Sequence, residues 1–329
     1  MNTDSTLGTL SFIAAVLGWV ALTAPARTTP AVPVYEPVSG VSGTLGSAGS
    51  DTMNNLMTLW SEAFLKMYPG VRIEVEGRGS ATAPPALIAG TAQLAPMSRS
   101  MTEKELGAFV KRYGYEPTQI RTSLDALAVY VNKSNPLERL TLTELDAVFS
   151  RSRKRGGRAV DTWGQLGLSG EWAAQPIRLY GRNSASGTYL YFKEHVLRDG
   201  EYRDAVQRQP GSASVVESVA EDRYGIGYSG IGYKTSSVKT LALSEDGTVF
   251  SGGEPSDVFS GRYPLARHLY IYVNRRPGRA LDPPVREFLR FVLSRQGQEI
   301  VAQDGYLREP DAIVAEELAK LDLAQSSAF

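Results

Sequence analysis

The chain of 329 residues has no cysteine, two histidines and no excess of charge of either sign, with 35 Lys and Arg against 35 Asp and Glu. Without cysteine it forms no disulfide, offers no thiolate, carries no lipid on sulfur and builds no thiolate zinc site. Two histidines leave any metal to carboxylates, and neither an HExxH nor an EF-hand spacing occurs. A GxSxG elbow is missing as well. No motif calls for a cofactor. Balanced charge provides no field for gripping a polyanion along its length, which argues against generic nucleic-acid binding. What remains is an ordinary globular composition, 42% hydrophobic and 21% charged, in a chain expected to fold rather than stay disordered. Single cores stop growing near about 250–300 residues, so two lobes are expected.

Long apolar runs are scarce, and the one that matters stands at the start. Residues 7–22, "LGTLSFIAAVLGWVAL", have the length of a signal-peptide core, and Ala24, Pro25 and Ala26 place small residues at a cleavage position. Residues 1–26 are therefore expected to direct export to the periplasm and to be removed. The leader departs from the usual pattern: no Lys or Arg precedes Arg27, and Asp4 sits where positive charge is expected. A mis-assigned start or an uncleaved anchor are the alternatives. Pro25, Pro30, Pro33 and Pro37 make residues 27–42 a linker without regular structure.

From Gly43 the chain alternates strand and helix patterns. "GTLGSAGS" reads as a strand entering a turn, and Met53, Leu56, Met57, Trp60, Phe64 and Met67 follow at helical spacing. "VRIEVEG" alternates as a strand and runs into "RGSATAPPALIAG", where Ser80 or Thr82 caps a helix with Pro84 and Pro85 in its first turn. "QLAPMSRSMTEKEL" holds a short strand, then a capping-box spacing from Thr102 to Glu105. "IRTSLDALAVYVN" supplies one or two more strands. In "PIRLYGRNSASGTYLYFKEHVL", a strand over 177–180 and a Gly and Ser turn precede a helix with Tyr189, Phe192 and Val196 on one face.

Four loops thus share a strand, small-residue turn, helix design. The first N–H groups of a helix lack intrahelical partners and the macrodipole leaves partial positive charge there, so a small oxyanion is welcome. Gly opens the turn and Ser or Thr hydroxyls add donors without charge. Each loop alone is satisfied by plain capping. The four together, with Arg99 and Arg182 beside them, point to an anion. The aromatic stretch over 189–192 reads as core, His195 and His268 as packing or surface residues, and the five cations of "RSRKRGGR" (151–158) as a solvated basic loop.

The ordered series "GSDT", "GRGSA", "VNKSNPLERLTLTEL", "GRNSASGT", "GIGYSGIGY", "YIYVNRRPG" and "FLRFVLSRQGQEIVAQDGYL" resembles the phosphate-binding subunits of bacterial phosphate ABC importers. These are the PstS-like, type 2 members of the periplasmic solute-binding superfamily, and the likeness spans nearly all of residues 43–310. It implies a two-lobed α/β fold with two interlobe crossings, near residues 123–126 and 228–234, and a central cleft closed by hinge bending. Lobe 1 would comprise residues 43–124 and 235–329, and lobe 2 residues 125–234. The resemblance places inorganic phosphate against Ser50, Asp51, Thr52, Ser80, Ser98 and Arg99 from one lobe, and Arg182, Ser186, Gly187 and Thr188 from the other. It implies a monomer without catalysis or cofactor that serves an ABC permease of the inner membrane.

Two departures qualify it. Family members place a carboxylate where Arg99 stands, accepting the proton of hydrogen phosphate and rejecting sulfate. Asp51 is the expected substitute, since a buried carboxylate repels a deprotonated oxyanion and gains a hydrogen bond from a protonated one. Capping of the helix at Met53 is the competing role. Two other functions stand beside transport: an oxyanion-binding module for sensing or scavenging, and a phosphate-ester hydrolase with Ser186 as nucleophile. No general base lies near Ser186 in sequence, which disfavours the last.

Overall fold

The computed structural model describes Met1 and residues 31–322. The expected leader, residues 1–26, falls outside the described residues apart from Met1. The chain enters lobe 1 with β1 (Gly43–Ala48), α1 (Asn54–Met67), β2 (Val71–Glu76), α2 (Ala83–Ala89), β3 (Ala95–Met97), α3 (Glu103–Tyr113) and β4 (Thr118–Ala126). Lobe 2 follows with β5 (Ala128–Asn132), β6 (Arg139–Thr141), α4 (Leu142–Phe149), β7 (Arg178–Arg182), α5 (Gly187–His195), β8 (Gln207–Gln209), α6 (Ser212–Glu221) and β9 (Gly225–Ser229). It continues through β10 (Val238–Thr240), β11 (Ala242–Ser244) and α7 (Pro255–Phe259). The chain then returns to lobe 1 for β12 (Ala266–Val273), α8 (Pro283–Val292), α9 (Arg295–Gln303) and α10 (Asp311–Asp322).

The elements form for local reasons visible in the residues. Leu56, Met57, Trp60 and Phe64 put one face of α1 in the core, where the Trp60 indole donates to Gly297 O at 2.9 Å. A capping box starts α3: Thr102 Oγ1 accepts the Glu105 N–H, and Glu105 Oε2 accepts the Thr102 N–H at 2.8 Å. Pro84 and Pro85 sit in the first turn of α2, where a missing N–H costs nothing. Neither Ser80 nor Thr82 caps that helix through its side chain, contrary to expectation; the Ser80 hydroxyl accepts the Ser98 N–H instead.

Both lobes have one topology. In lobe 1, β1 and β2 pair in parallel, a parallel bridge from Ser47 to Leu94 brings in β3, and β12 runs antiparallel between β3 and β4. In lobe 2 the order is β8, β7, β9, β5, β10, with β5 as the antiparallel member. In each lobe the antiparallel strand is the one that arrives from the other lobe. The carboxyl ends of β1, β2 and β3 therefore face those of β7, β8 and β9 across the seam, where open α/β sheets bind ligands.

The crossings lie at residues 126–128 and 265–266. The expectation of a return near 228–234 is corrected: β10 pairs with β5, β11 pairs with β6, and Leu241, Leu243, Val258, Tyr263 and Leu265 pack in the lobe 2 core. Residues 230–233 do lean on lobe 1, with the Tyr233 hydroxyl donating to Asp51 O at 2.9 Å, but the chain then turns back. The described part of the linker, residues 31–42, has no helix or strand, as expected, but it is docked rather than loose. Arg295 N donates to Pro33 O at 2.8 Å, and Tyr35 N to Gln296 Oε1 at 2.9 Å. Tyr35 is buried, its ring edge-on to Phe291 and its hydroxyl 2.6 Å from that of Tyr68. A buried aromatic anchor and paired backbone groups at Pro33, Tyr35 and Val38 dock a segment that proline alone would leave loose.

Asp304, at the end of α9, is partly covered and hydrogen-bonded by Asn55, and burial pushes its carboxyl up to about 6. Unfolded, it would titrate near about 4. The folded state therefore binds more protons between those values, and the Asp304 contribution to stability falls as pH rises through that window. Asp304→Asn is expected to raise the unfolding temperature at pH 7.5 and to leave it unchanged at pH 3.5 when measured by scanning calorimetry.

Candidate functional site

Six loops converge where the lobes meet. The turn after β1 brings Ser50, Asp51 and Thr52; the turn after β2 brings Gly79 and Ser80; the end of β3 brings Ser98. From lobe 2 come Arg182 at the end of β7, Ser186 to Thr188 after it, Ser212 after β8 and Gly230 after β9. Of the ten residues singled out from the sequence, all but Asp51 are buried.

Contacts across the seam are direct. Thr52 Oγ1 lies 2.9 Å from Thr188 Oγ1, and Ala81 N donates to Ala185 O at 3.0 Å. Asp51 does not cap α1: its Oδ2 accepts the Ser212 N–H at 2.7 Å and lies 2.9 Å from Arg182 Nη2. The tightest approach is at Gly187, the first residue of α5. A methyl group there would stand 2.4 Å from Ser80 Oγ and 2.6 Å from Ser98 Oγ. Gly79, at φ +111°, meets Ala185 O in the same way, with 2.5 Å left for a methyl group. Only glycine allows backbone to come so near backbone and hydroxyl.

Arg182 is 1% exposed. Besides Asp51, it donates through Nη1 to Ser212 Oγ at 2.5 Å and through Nη2 to Pro210 O at 3.0 Å. Burial pulls its guanidinium below its ordinary range, and the Asp51 charge opposes that pull. Among the described residues, Arg182 Nε and Ser50 Oγ are buried without a protein partner. Tyr228, whose phenol is pushed up by burial, accepts the Arg182 N–H at 3.4 Å from behind and stays protonated. Ser186 Oγ accepts the N–H groups of Thr188 and Tyr189, which makes it the cap of α5.

Arg99 takes another place. Its guanidinium forks onto Glu105, Nη1 to Oε2 at 2.7 Å and Nη2 to Oε1 at 2.8 Å, and donates also to Ser100 O at 2.9 Å. Burial raises the Glu105 carboxyl, but the hydrogen bonds of Arg99 and Thr102 and the Arg99 charge together outweigh it and hold that group below the usual carboxylate range. Besides Ser212, the sequence reading passed over Arg267 and Asp125. Both are buried, and Arg267 donates to Asp125 Oδ2, Ser98 O and Thr188 Oγ1. A lone arginine in the apolar strand "ARHLYIYV" and a lone aspartate before "ALAVYVN" were the available signal. The two guanidinium groups are matched by two carboxylates, so the pairs carry no net formal charge. No trio of His, Asp or Glu capable of holding a metal occurs among the described residues.

The chain is similar to known proteins over most of its length. A family model described as PBP superfamily domain matches residues 35–296. The phosphate-binding protein PstS of Pseudomonas aeruginosa is 50% identical over 325 residues, covering 98% of this chain and 100% of that protein. Protein SphX of Synechococcus elongatus is 29% identical over 76% of this chain and 73% of its own. A phosphate ABC transporter substrate-binding protein from Clostridium perfringens, solved with bound phosphate, superposes with a TM-score of 0.68 at 24% identity. It covers 82% of this chain and 100% of that one, a likeness of fold.

Gly187→Ala separates closure from folding. Alanine suits a helix start no worse than glycine, but its methyl group would collide with Ser80 and Ser98, an overpacking worth about 1–3 kcal/mol. The variant is expected to unfold at a temperature close to that of the parent and to show a larger radius of gyration by small-angle X-ray scattering.

Proposed function

The chain belongs to the PBP superfamily domain family, and from that premise we propose that it binds inorganic phosphate between its lobes and delivers it to an ABC-type permease. The observation that carries this reading is the cleft itself: hydroxyls of both lobes in contact, with Ser50 Oγ and Arg182 Nε buried and without protein partners. Buried polar atoms are normally satisfied, and a tetrahedral oxyanion accepts from a hydroxyl, a guanidinium edge and helix N-termini at once. Arg182, Ser50, Thr52, Ser80, Ser98, Ser186, Gly187 and Thr188 are its proposed surroundings. Arg99 acts at one remove, by fixing the start of α3 through Glu105.

Asp51 supplies the preference for a protonated anion. Its Oδ2 is committed to Arg182 and Ser212, and its carboxylate still borders the cleft beside Gly211. Such a group repels sulfate and gains a hydrogen bond from hydrogen phosphate. The protein works in the periplasm as a monomer after export, and binding is its whole chemistry: Ser186 is engaged as a helix cap rather than poised beside a base.

Titration calorimetry with phosphate and with sulfate tests the reading. The parent protein is expected to bind phosphate far more tightly than sulfate. Arg182→Lys, which lacks a fork, should weaken phosphate binding about 10- to 100-fold. Asp51→Asn should narrow the gap between the two anions, and an unchanged gap would remove Asp51 from selection. A parent protein that takes neither anion would overturn the proposal.

A further inference from the structure

The Asp125 and Arg267 pair stands where both crossings leave lobe 1. The two residues are directly opposite in the β4 and β12 register, with side chains 0% and 3% exposed. Arg267 Nε and Nη2 donate to Asp125 Oδ2 at 3.0 and 2.7 Å, and Nη1 donates to Ser98 O at 2.9 Å. Nη2 also reaches Thr188 Oγ1 at 2.8 Å, and the guanidinium lies 5.2 Å from the centre of the Tyr191 ring. Asp125 Oδ1 accepts the Ile231 N–H at 2.9 Å. One ion pair therefore joins both crossings, the β3 loop, the start of α5 and the segment after β9.

Stability alone does not account for it. Desolvation of two buried charges offsets most of their attraction, and an apolar cross-strand pair would hold the strands as well. What an apolar pair cannot do is direct a hydroxyl hydrogen. A guanidinium has no acceptor, so Thr188 Oγ1 receives a hydrogen from Arg267 and keeps its own for elsewhere. Thr52 Oγ1 is 2.9 Å away. Two hydroxyls that share one hydrogen bond leave one hydrogen over; Arg267, a donor only, fills a lone pair of Thr188 Oγ1 and cannot take that hydrogen, which is left for a ligand. Asp125 and Ser98 belong to the lobe of Arg267, whereas Thr188 and Tyr191 belong to the other, so the set is complete only with the lobes together.

We infer that Arg267 is a positioning residue for anion binding: held by Asp125, it turns the Thr188 and Thr52 hydroxyl pair into a donor toward bound phosphate and does so only in the closed form. The inference rests on the phosphate reading above. The test is a cycle of phosphate affinities, by calorimetry, for the parent, Arg267→Lys, Thr188→Val and the double variant. Arg267→Lys is expected to lose about 10-fold or more in affinity, the worth of a charge-assisted hydrogen bond. In the Thr188→Val background the same change should alter affinity less than about 3-fold, because the two act as a unit. Thr188→Ser, which keeps the hydroxyl, should restore the dependence on Arg267. Arg267→Gln with Asp125→Asn leaves no unpaired buried charge and serves in place of Arg267→Lys if that variant does not fold.

Parent-like affinity in a folded Arg267 variant, or losses that simply multiply in the double variant, would overturn the inference while leaving the phosphate reading intact. A parent protein that takes no phosphate would overturn both.

Discussion

The missing side chain of Gly187 is the constraint on which the closed molecule depends. The first residue of α5 rests against the hydroxyls of Ser80 and Ser98, with less room than a methyl group requires. Because it fits, the N-terminus of a lobe 2 helix reaches the carboxyl ends of the lobe 1 strands, and Thr188 comes to 2.9 Å from Thr52. Gly79 against Ala185 repeats the device one loop away. The shared topology makes this meeting general rather than local, since in both sheets the parallel strands end at the same seam.

Charge at the seam is arranged in crossed pairs. Asp51 of lobe 1 answers Arg182 of lobe 2, while Asp125 and Arg267 pair within lobe 1 and reach across through Thr188. Neither guanidinium is left to act as a bare cation. A neutral seam costs less to close and open than one with a buried net charge, and it leaves selectivity to the direction of hydrogen bonds. Oriented donors suit a small oxyanion.

Much of the architecture was legible because it is local. The period of Leu56, Trp60 and Phe64, the alternation of "VRIEVEG" and the Thr102 to Glu105 spacing each specify an element without reference to the rest of the chain. Other features were opaque for a common reason: each depends on a partner distant in sequence. Pro33 and Pro37 suggest a loose tether, yet Tyr35 finds Gln296, Tyr68 and Glu287. Arg99 sits in the right loop, yet Glu105 claims its guanidinium. Residues 230–233 approach lobe 1 as a crossing would, yet β10 returns to β5.

The sequence by itself determined the α/β alternation and the loops of small and hydroxyl residues at helix starts. Those are properties of short segments, set by periodicity, capping and side-chain chemistry. Only the tertiary structure decided which donors meet, which carboxylate each arginine pairs with and where the chain passes between lobes. A hydrogen bond or an ion pair needs its partner within about 3–4 Å, and separation along the chain carries no record of separation in space.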